Sequence, residues 1–221
     1  MFVSSRIKAI GDFIENGDIV VDVGADHGLL ELYLIAIYKN VYITAVENKA
    51  GPFKILERGL KGVKNVKLSF SDGISAVDEK TKTVVLAGMG GINIKNILDA
   101  YPEKVVRLNK IIIDAHRDMD IARKTILDYG FDFAREKIIY EQGKFYIITE
   151  FLKADKEVKY NEDDIQIGHK LYKDELWSLY KRYLTQENKK TIEKIKDVST
   201  AQDKVLELKR MNERLAKYGK N

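Results

Sequence analysis

Three acidic side chains stand at or near the ends of apolar runs, which is where ligands bind in an open α/β sheet. Asp22 lies in the run Ile19–Val23, Glu47 ends the second run, and Asp72 follows the third. The carboxyl ends of neighbouring parallel strands meet at one edge of a sheet, and ligands bind in the crevice outside that edge. Carboxylates accept hydrogen bonds from amines and hydroxyl groups. We therefore predict a site for a ligand that is rich in such donors.

The loop after the first run, DVGADHG at residues 22–28, indicates which ligand this is. Asp26 stands where a dinucleotide-binding loop has its second glycine, and its carboxylate would repel a pyrophosphate, which argues against an NAD-linked dehydrogenase. The sequence also lacks the G-x-x-x-x-G-K-[ST] pattern of a P-loop. The favoured ligand contains adenosine and cationic groups but has no phosphate. S-adenosylmethionine fits, since it carries an ammonium and a sulfonium.

Each acidic residue is expected to meet one part of this cofactor. Asp22 accepts from the ammonium group, directly or through water. Glu47, with Asn48 beside it, takes the ribose hydroxyls, because an acidic residue after the second strand does so in related folds. Asp72 accepts from the adenine amino group. The remaining expected cofactor contacts are Gly24, Asp26, His27, Gly28, Gly73 and Gly88.

A second glycine-rich turn, in TVVLAGMGGINI at residues 83–94, follows the fourth run. In nucleobase methyltransferases this strand end usually carries an amide side chain that holds the base. A bare backbone could hold it instead through carbonyl and N–H groups. The predicted catalytic residues are therefore Gly88, Met89, Gly90 and Gly91, with Asp26 supplying a negative field. Asn93 is a candidate amide contact.

The elements that position these residues alternate between β-branched runs and helical stretches, which is typical of a parallel sheet with helices on both faces. The predicted strands are Ile19–Val23, Val41–Val46, Val66–Phe70, Thr83–Ala87, Lys110–Asp114, Phe133–Tyr140 and Phe145–Leu152. The last two form an antiparallel hairpin around a short turn. We expect an α/β domain over residues 1–155 with a mostly parallel, seven-stranded sheet.

Residues 156–221 are predicted to form a separate domain with two long antiparallel helices, coiled-coil-like. Trp177 and Leu184 belong to one apolar stripe, and Leu208 and Leu215 to another. Ser199, three residues before Gln202, suggests a capping box for the second helix. From residue 171 onward there are 13 basic and 8 acidic side chains, while the rest of the chain is nearly neutral. This basic hairpin suits RNA phosphates.

Composition excludes several other classes. The chain has no cysteine, so it has no disulfide scaffold and no thiolate metal site. Its three histidines are far apart in sequence, and no metal is expected. No apolar run reaches the roughly 18 residues of a membrane span, and the first residues do not have the pattern of a signal peptide. A cytoplasmic protein without a membrane partner is expected.

The motifs DVGADHG, AVENKAGPF (45–53), SDGI (71–74) and LAGMGG (86–91), with SSRI (4–7), occur in an order and spacing that resembles the bacterial tRNA (adenine(22)-N1)-methyltransferases. The resemblance covers essentially the whole chain. It implies a class I, Rossmann-like methyltransferase domain, followed by a coiled-coil domain that grips tRNA. Two places depart from the family pattern. Leu29 and Glu31 replace an aromatic residue and a proline, and Asp114 begins a segment that is often Gln-Pro.

The expected reaction is transfer of a methyl group to N1 of an adenine in tRNA by direct in-line displacement, which depends on proximity and orientation. The predicted RNA-binding residues are Arg6, Lys8, Asn93, Lys181, Arg182, Lys189, Lys190, Lys209 and Arg210. A monomer is expected, with a dimer through the coiled coil as an alternative. Two other functions stay open: a methyltransferase for another RNA or a small molecule, and a non-catalytic RNA-binding module.

Overall fold

Seven runs of the chain pair into one mixed sheet in the computed structural model, which describes residues 3–156 and 158–219. The strands are β1 (Ile19–Val23), β2 (Tyr42–Glu47), β3 (Val66–Phe70), β4 (Thr83–Met89), β5 (Lys110–Ala115), β6 (Phe131–Glu141) and β7 (Lys144–Lys153). Their order across the sheet is β3-β2-β1-β4-β5-β7-β6. The first five are parallel and β7 is antiparallel to both of its neighbours. The predicted fold class is confirmed.

Strand alternation decides which face each residue of β1 joins, because successive side chains point to opposite sides. Val21 and Val23 pack into the core on one face, together with residues of β4 and β5. Val20 packs into the core on the other face. Asp22 shares the face of Val20, so its carboxyl group is directed to the side on which the first two helices lie.

Within the described part of the first 159 residues, six α-helices accompany the sheet. They are α1 (Ser5–Gly11), α2 (Leu29–Ile37), α3 (Ala50–Gly59), α4 (Gly91–Asp99), α5 (Pro102–Val105) and α6 (Met119–Asp128). Ser4 caps α1, because its hydroxyl accepts a hydrogen bond from the backbone N–H of Ile7 at 3.2 Å. Residues 9 and 10 of α1 are buried against the sheet, which fixes Arg6 near the carboxyl edge.

The chain divides into two units, Met1–Lys159 and Tyr160–Asn221. The division falls a few residues after the predicted domain boundary. The predicted domain ranges also include Met1, Phe2, Glu157, Lys220 and Asn221, which lie outside the described residues.

The second unit contains α7 (Glu162–Gln166), α8 (Trp177–Ile195) and α9 (Gln202–Lys217). The rings of Trp177 and Tyr218 lie 5.0 Å apart, and the side chain of Asn188 donates to that of Asn212 at 2.9 Å, so α8 and α9 run antiparallel. Within residues 3–156 and 158–219, none of the helices combines the length and apolar character that a membrane span requires.

The predicted capping box at the start of α9 is wrong. Ser199 begins a short 3-10 helix, and no side chain caps α9. The amide of Gln202 instead donates to the carbonyl oxygens of Lys196 and Val198 at 2.8 and 3.1 Å. These bonds use carbonyl groups near the end of α8, so the glutamine closes the turn between the two helices.

Candidate functional site

The carboxyl ends of the parallel strands enclose a cavity of about 470 Å³. Five predicted site residues from three loops line it together: Gly24, Glu47, Asn48, Asp72 and Gly73. The end of β4 adds Gly88 and Met89, and the first turn of α4 adds Asn93. The structure therefore brings the three glycine-containing loops and two of the three strand-end carboxylates to one place.

Glu47 is held in a fixed orientation by the backbone that follows it. It is 8% exposed, and its Oε1 accepts hydrogen bonds from the N–H groups of Asn48 and Lys49 at 3.0 and 2.9 Å. Both of these bonds use Oε1. Its Oε2 thus keeps its capacity to accept from the hydroxyl groups of a ligand.

Asp72 is tied to the neighbouring strand end. Its Oδ1 accepts a hydrogen bond from the side-chain amide of Asn48 at 3.0 Å. Asn48 therefore positions a carboxylate as well as lining the cavity itself. Ser71, from the SDGI motif, also lines it, as do Asn96 and Tyr101, to which no sequence motif pointed.

A second, smaller pocket of about 180 Å³ adjoins the first, and the two share Gly24 and Ala87 in their walls. Asp22, Asp26 and His27 line this pocket rather than the larger one, together with Arg6. Asp26 and His27 are mostly exposed, with His27 Nε2 3.7 Å from Asp26 Oδ2. The first loop consequently serves the smaller pocket, and only Gly24 reaches both.

Asp22 is paired with a second buried carboxyl group, that of Glu31 in the first turn of α2. The exposed fractions of the two residues are 5% and 0%, and both carboxyl oxygens of Glu31 are buried without a hydrogen-bond partner among the described residues. The two carboxyl groups are close enough to act on each other's pKa. Burial raises the pKa of Asp22 to about 6, although the contacts with Glu31 and Arg6 act to lower it. Burial and the charge of Asp22 raise the pKa of Glu31 well above its ordinary value.

Arg6 is held by a buried acid rather than projecting freely into solvent. Its Nε lies 2.6 Å from Oδ2 of Asp114, a residue that is fully buried at the end of β5. The guanidinium carbon is 5.3 Å from the centre of the Tyr146 ring. His116 Nε2 lies 3.5 Å from the same oxygen of Asp114. Arg6 thus lies among three other side chains, those of Asp114, His116 and Tyr146.

The glycine-rich segment 88–91 divides between the end of β4 and the start of α4, and its two parts have different roles. Gly88 has φ +77°, and a Cβ there would lie 3.2 Å from the guanidinium of Arg6, so glycine is favoured by both backbone and space. The pairing of β4 with β5 shifts register between Ala87 and Met89, which opens this strand end at the cavity.

Gly90 and Gly91 do not line either pocket. Both are buried, Gly90 is the N-cap of α4, and a Cβ on Gly91 would lie 1.8 Å from the carbonyl oxygen of Asp118. The backbone at Asp118 approaches residue 91 so closely that no side chain fits there, which explains the glycine. Gly28 likewise lines neither pocket, since it is the N-cap of α2 and lies against Leu60.

The predicted RNA-binding cations divide between the two units. Lys8 is exposed on α1, and Lys181 is half-buried on α8. Lys190 pairs with Glu187 at 2.7 Å. The exposed members on α8 and α9 are Arg182, Lys189, Lys190, Lys209 and Arg210.

Sequence reasoning missed Glu31 and Asp114, although a signal existed for each. Glu31 is the only acidic residue in the otherwise apolar stretch LLELYLIAI, and an acid in a buried helix face needs a partner. Asp114 ends the fifth strand, and the rule that selected Asp22, Glu47 and Asp72 applies to it equally.

A family model described as a methyltransferase domain matches residues 3–149. That is most of the first unit, and it includes every residue of the two pockets. The chain belongs to this methyltransferase family. The fold and the pockets at the carboxyl edge of the sheet agree with it.

Known relatives carry the name that the sequence motifs indicated. The tRNA (adenine(22)-N(1))-methyltransferase of Bacillus subtilis is 25% identical over 170 residues, which are 75% of this chain and 71% of that protein. The resemblance stated from the motifs is confirmed.

Solved structures extend the likeness to the helical unit. The crystal structure of the B. subtilis M1A22 tRNA methyltransferase TrmK has a TM-score of 0.83 and 22% identity, over 98% of both chains. M. capricolum TrmK in complex with S-adenosyl-homocysteine has a TM-score of 0.83 and 22% identity, over 99% of this chain and 98% of that one. These likenesses concern the fold.

Proposed function

We propose that this methyltransferase transfers a methyl group from S-adenosylmethionine to N1 of adenine 22 in tRNA. The observation that carries the proposal is the continuous cavity that joins the carboxylates of Glu47 and Asp72 to the bare turn at Gly88. The similarity to a relative with this activity supports the choice of substrate.

The residues present fit the cofactor. Glu47, anchored through Oε1, offers Oε2 to the ribose hydroxyls. Asp72, held by Asn48, offers an acceptor for the adenine amino group. Asp22 in the smaller pocket offers a carboxyl group to the ammonium. The two pockets meet at Gly24 and Ala87, so one ligand with an adenosine end and an amino-acid end can occupy both.

The cofactor supplies a methyl group on a positively charged sulfur, and N1 of adenine has an in-plane lone pair that can accept it. The protein's part is to orient the two. Backbone groups of Gly88 and Met89 line the cavity and can hold the amino group next to N1. Asn93 lies on the same wall and offers an amide. The adenine must leave its stack to reach this turn, which costs a few kcal/mol.

Binding of tRNA offsets that cost. We assign cofactor binding and catalysis to residues 1–155 and tRNA binding to the helical residues 156–221, where exposed cations lie along α8 and α9. Such contacts recognise phosphates and the shape of the RNA rather than base edges. Since tRNA is the substrate, we propose a cytoplasmic location, and a monomer as the working unit.

The test is methyl transfer from labelled S-adenosylmethionine to an unmodified tRNA transcript, with the product nucleoside identified by mass spectrometry. The matched substrate is the same tRNA with guanine at position 22. We expect labelled 1-methyladenosine from the first and none from the second. Labelling of both transcripts would refute the position, and cofactor binding without transfer to any tRNA would refute the substrate class.

A further inference from the structure

The Asp22–Glu31 pair is a buried acidic cluster that the proposed reaction does not yet explain. Both carboxyl groups are nearly or fully buried, and neither oxygen of Glu31 has a hydrogen-bond partner among the described residues. Two such groups that act on each other cannot both be ionised without a large electrostatic cost. Natural proteins resolve this arrangement by placing one proton between the two groups.

The charges around the pair do not remove the need for that proton. Arg6, from α1, is the basic side chain that acts on Asp22, but its Nε is already paired with the buried Asp114 at 2.6 Å. His116 also faces Asp114, at 3.5 Å. From the loop after β1, Asp26 and His27 are mostly exposed, and His27 Nε2 lies 3.7 Å from Asp26 Oδ2. Two buried carboxyl groups, those of Asp22 and Asp114, therefore share one guanidinium.

Asp22 borders the smaller pocket, whereas Glu31 borders neither pocket. A ligand amine that enters this pocket therefore meets Asp22 rather than Glu31. An ammonium ion at Asp22 would supply the positive charge that the proton supplies in the free protein.

We propose that the Asp22–Glu31 pair holds one proton in the free protein and releases it to solvent when the ammonium group of the cofactor binds at Asp22. No covalent bond changes in the cofactor: the ammonium keeps its own protons, and the pair loses one. Glu31 is a positioning residue here, since it acts through Asp22. The inference rests on the proposed use of S-adenosylmethionine.

The test uses calorimetric titration of the full-length protein with S-adenosyl-homocysteine, in two buffers of different ionisation enthalpy. We expect release of most of one proton at about pH 7, where Asp22 is above its pKa of about 6 and the pair holds its one proton on Glu31. The affinity should rise with pH around this value, below the titration range of the ligand amine. In Glu31→Gln an amide replaces the second acid. Asp22 is then the one acid left in the pair, and it is ionised at pH 7, above its pKa of about 6. Proton release at pH 7 is therefore lost, and the affinity above pH 7 becomes nearly independent of pH until the ligand amine titrates.

Two controls separate this effect from a general one. 5′-Methylthioadenosine, which lacks the amino-acid end, is expected to bind the natural protein without proton release, and this comparison stands even if Glu31→Gln folds poorly. Glu57→Gln, an exposed acid on α3, is expected to behave as the natural protein.

The outcomes are distinguishable. Binding of S-adenosyl-homocysteine without proton release, or equal release in the natural protein and Glu31→Gln, overturns the inference and leaves the proposed function standing. Equal release with 5′-methylthioadenosine also overturns it, because the proton would then not be exchanged for the amine. Failure of the natural protein to bind S-adenosyl-homocysteine at all overturns both.

Discussion

Arg6 Nε and Asp114 Oδ2 lie 2.6 Å apart, which links the N-terminal helix to the end of the fifth strand beside the turn at Gly88. Asp114 is fully buried and Arg6 is partly exposed. A buried acid that fixes one edge of a guanidinium leaves its other N–H groups in a defined direction. Arg6 was expected to meet RNA, and that contact remains a prediction, but its orientation now depends on Asp114.

Asp114→Asn should therefore slow the reaction without weakening the binding of the cofactor. The amide keeps the shape of the side chain but removes the charge that holds Arg6, and misplacement of a group near the reacting base lowers turnover. We expect kcat with tRNA to fall about tenfold or more, while the Kd for S-adenosyl-homocysteine changes little. The exposed Asp128, paired with Lys124 on α6, provides the control variant Asp128→Asn. An equal loss of cofactor binding would contradict this role.

Glu47→Ala should weaken the binding of the cofactor. The substitution removes an acceptor for hydroxyl groups and also the anchor for the N–H groups of Asn48 and Lys49. Hydrogen bonds to a charged acceptor contribute about 1.5–3 kcal/mol, so we expect the Kd for S-adenosyl-homocysteine to rise about tenfold to a hundredfold by calorimetry. Glu57→Ala on α3 is the matched change and should leave the Kd unaltered. An unchanged Kd in Glu47→Ala would refute the ribose assignment.

Gly91→Ala should destabilise the fold because its Cβ would collide with the carbonyl oxygen of Asp118 at 1.8 Å. Separating α4 from the start of α6 costs about 1–3 kcal/mol, and each kcal/mol lowers the Tm of a protein of this size by about 2–4 °C. A Cβ on Gly51, in α3, meets nothing within 4 Å. Gly51→Ala should thus keep or slightly raise the Tm, and similar decreases in both variants would argue against the close approach.

Glu31→Gln should stabilise the free protein at neutral and higher pH. Burial and the charge of Asp22 raise the pKa of Glu31 well above its ordinary value in the folded state, so the folded protein binds this proton more tightly than the unfolded chain. The stability from that proton is complete below the unfolded pKa of Glu31 and is lost as pH rises through its raised folded pKa, whereas glutamine does not titrate. The Tm difference between Glu31→Gln and the natural protein should accordingly grow from about pH 5 to pH 8.

Thermal denaturation across that pH range measures the difference. Glu57→Gln should shift the Tm by a constant and small amount. A Tm difference for Glu31→Gln that is flat with pH would show that the pair carries no extra proton in the folded state.

The exposed cations of α9 should contribute to the salt dependence of tRNA binding. Removing one cation that binds a phosphate lowers the slope of log K against log salt by about one, so the double change of Lys209 and Arg210 to alanine should lower it by about two. Lys61→Ala, an exposed lysine of the first unit, should leave the slope unaltered. An unchanged slope in the double variant would show that Lys209 and Arg210 do not bind phosphates of the tRNA.

Much of the site follows from the sequence because its residues sit at strand ends. The alternation of β-branched runs and helices specifies parallel strands, whose carboxyl ends share one edge. That rule alone selected Asp22, Glu47 and Asp72. In the structure, Glu47 and Asp72 line one cavity together with Gly88. Sequence reasoning also selected Gly28 and Gly91, which the structure explains by close packing. The sequence alone does not distinguish a glycine that a ligand approaches from one that another part of the protein approaches.

The sequence by itself determined the fold class and the acidic residues that stand at the strand ends. Only the tertiary structure decided which charges meet. Asp22 and Glu31 are buried together and act on each other's pKa, and Arg6 pairs with Asp114 near the end of the fifth strand. Such pairs depend on which face of a strand or helix is turned inward and on how deeply it is buried. Burial sets the cost of a charge, and it exists only once the chain is folded.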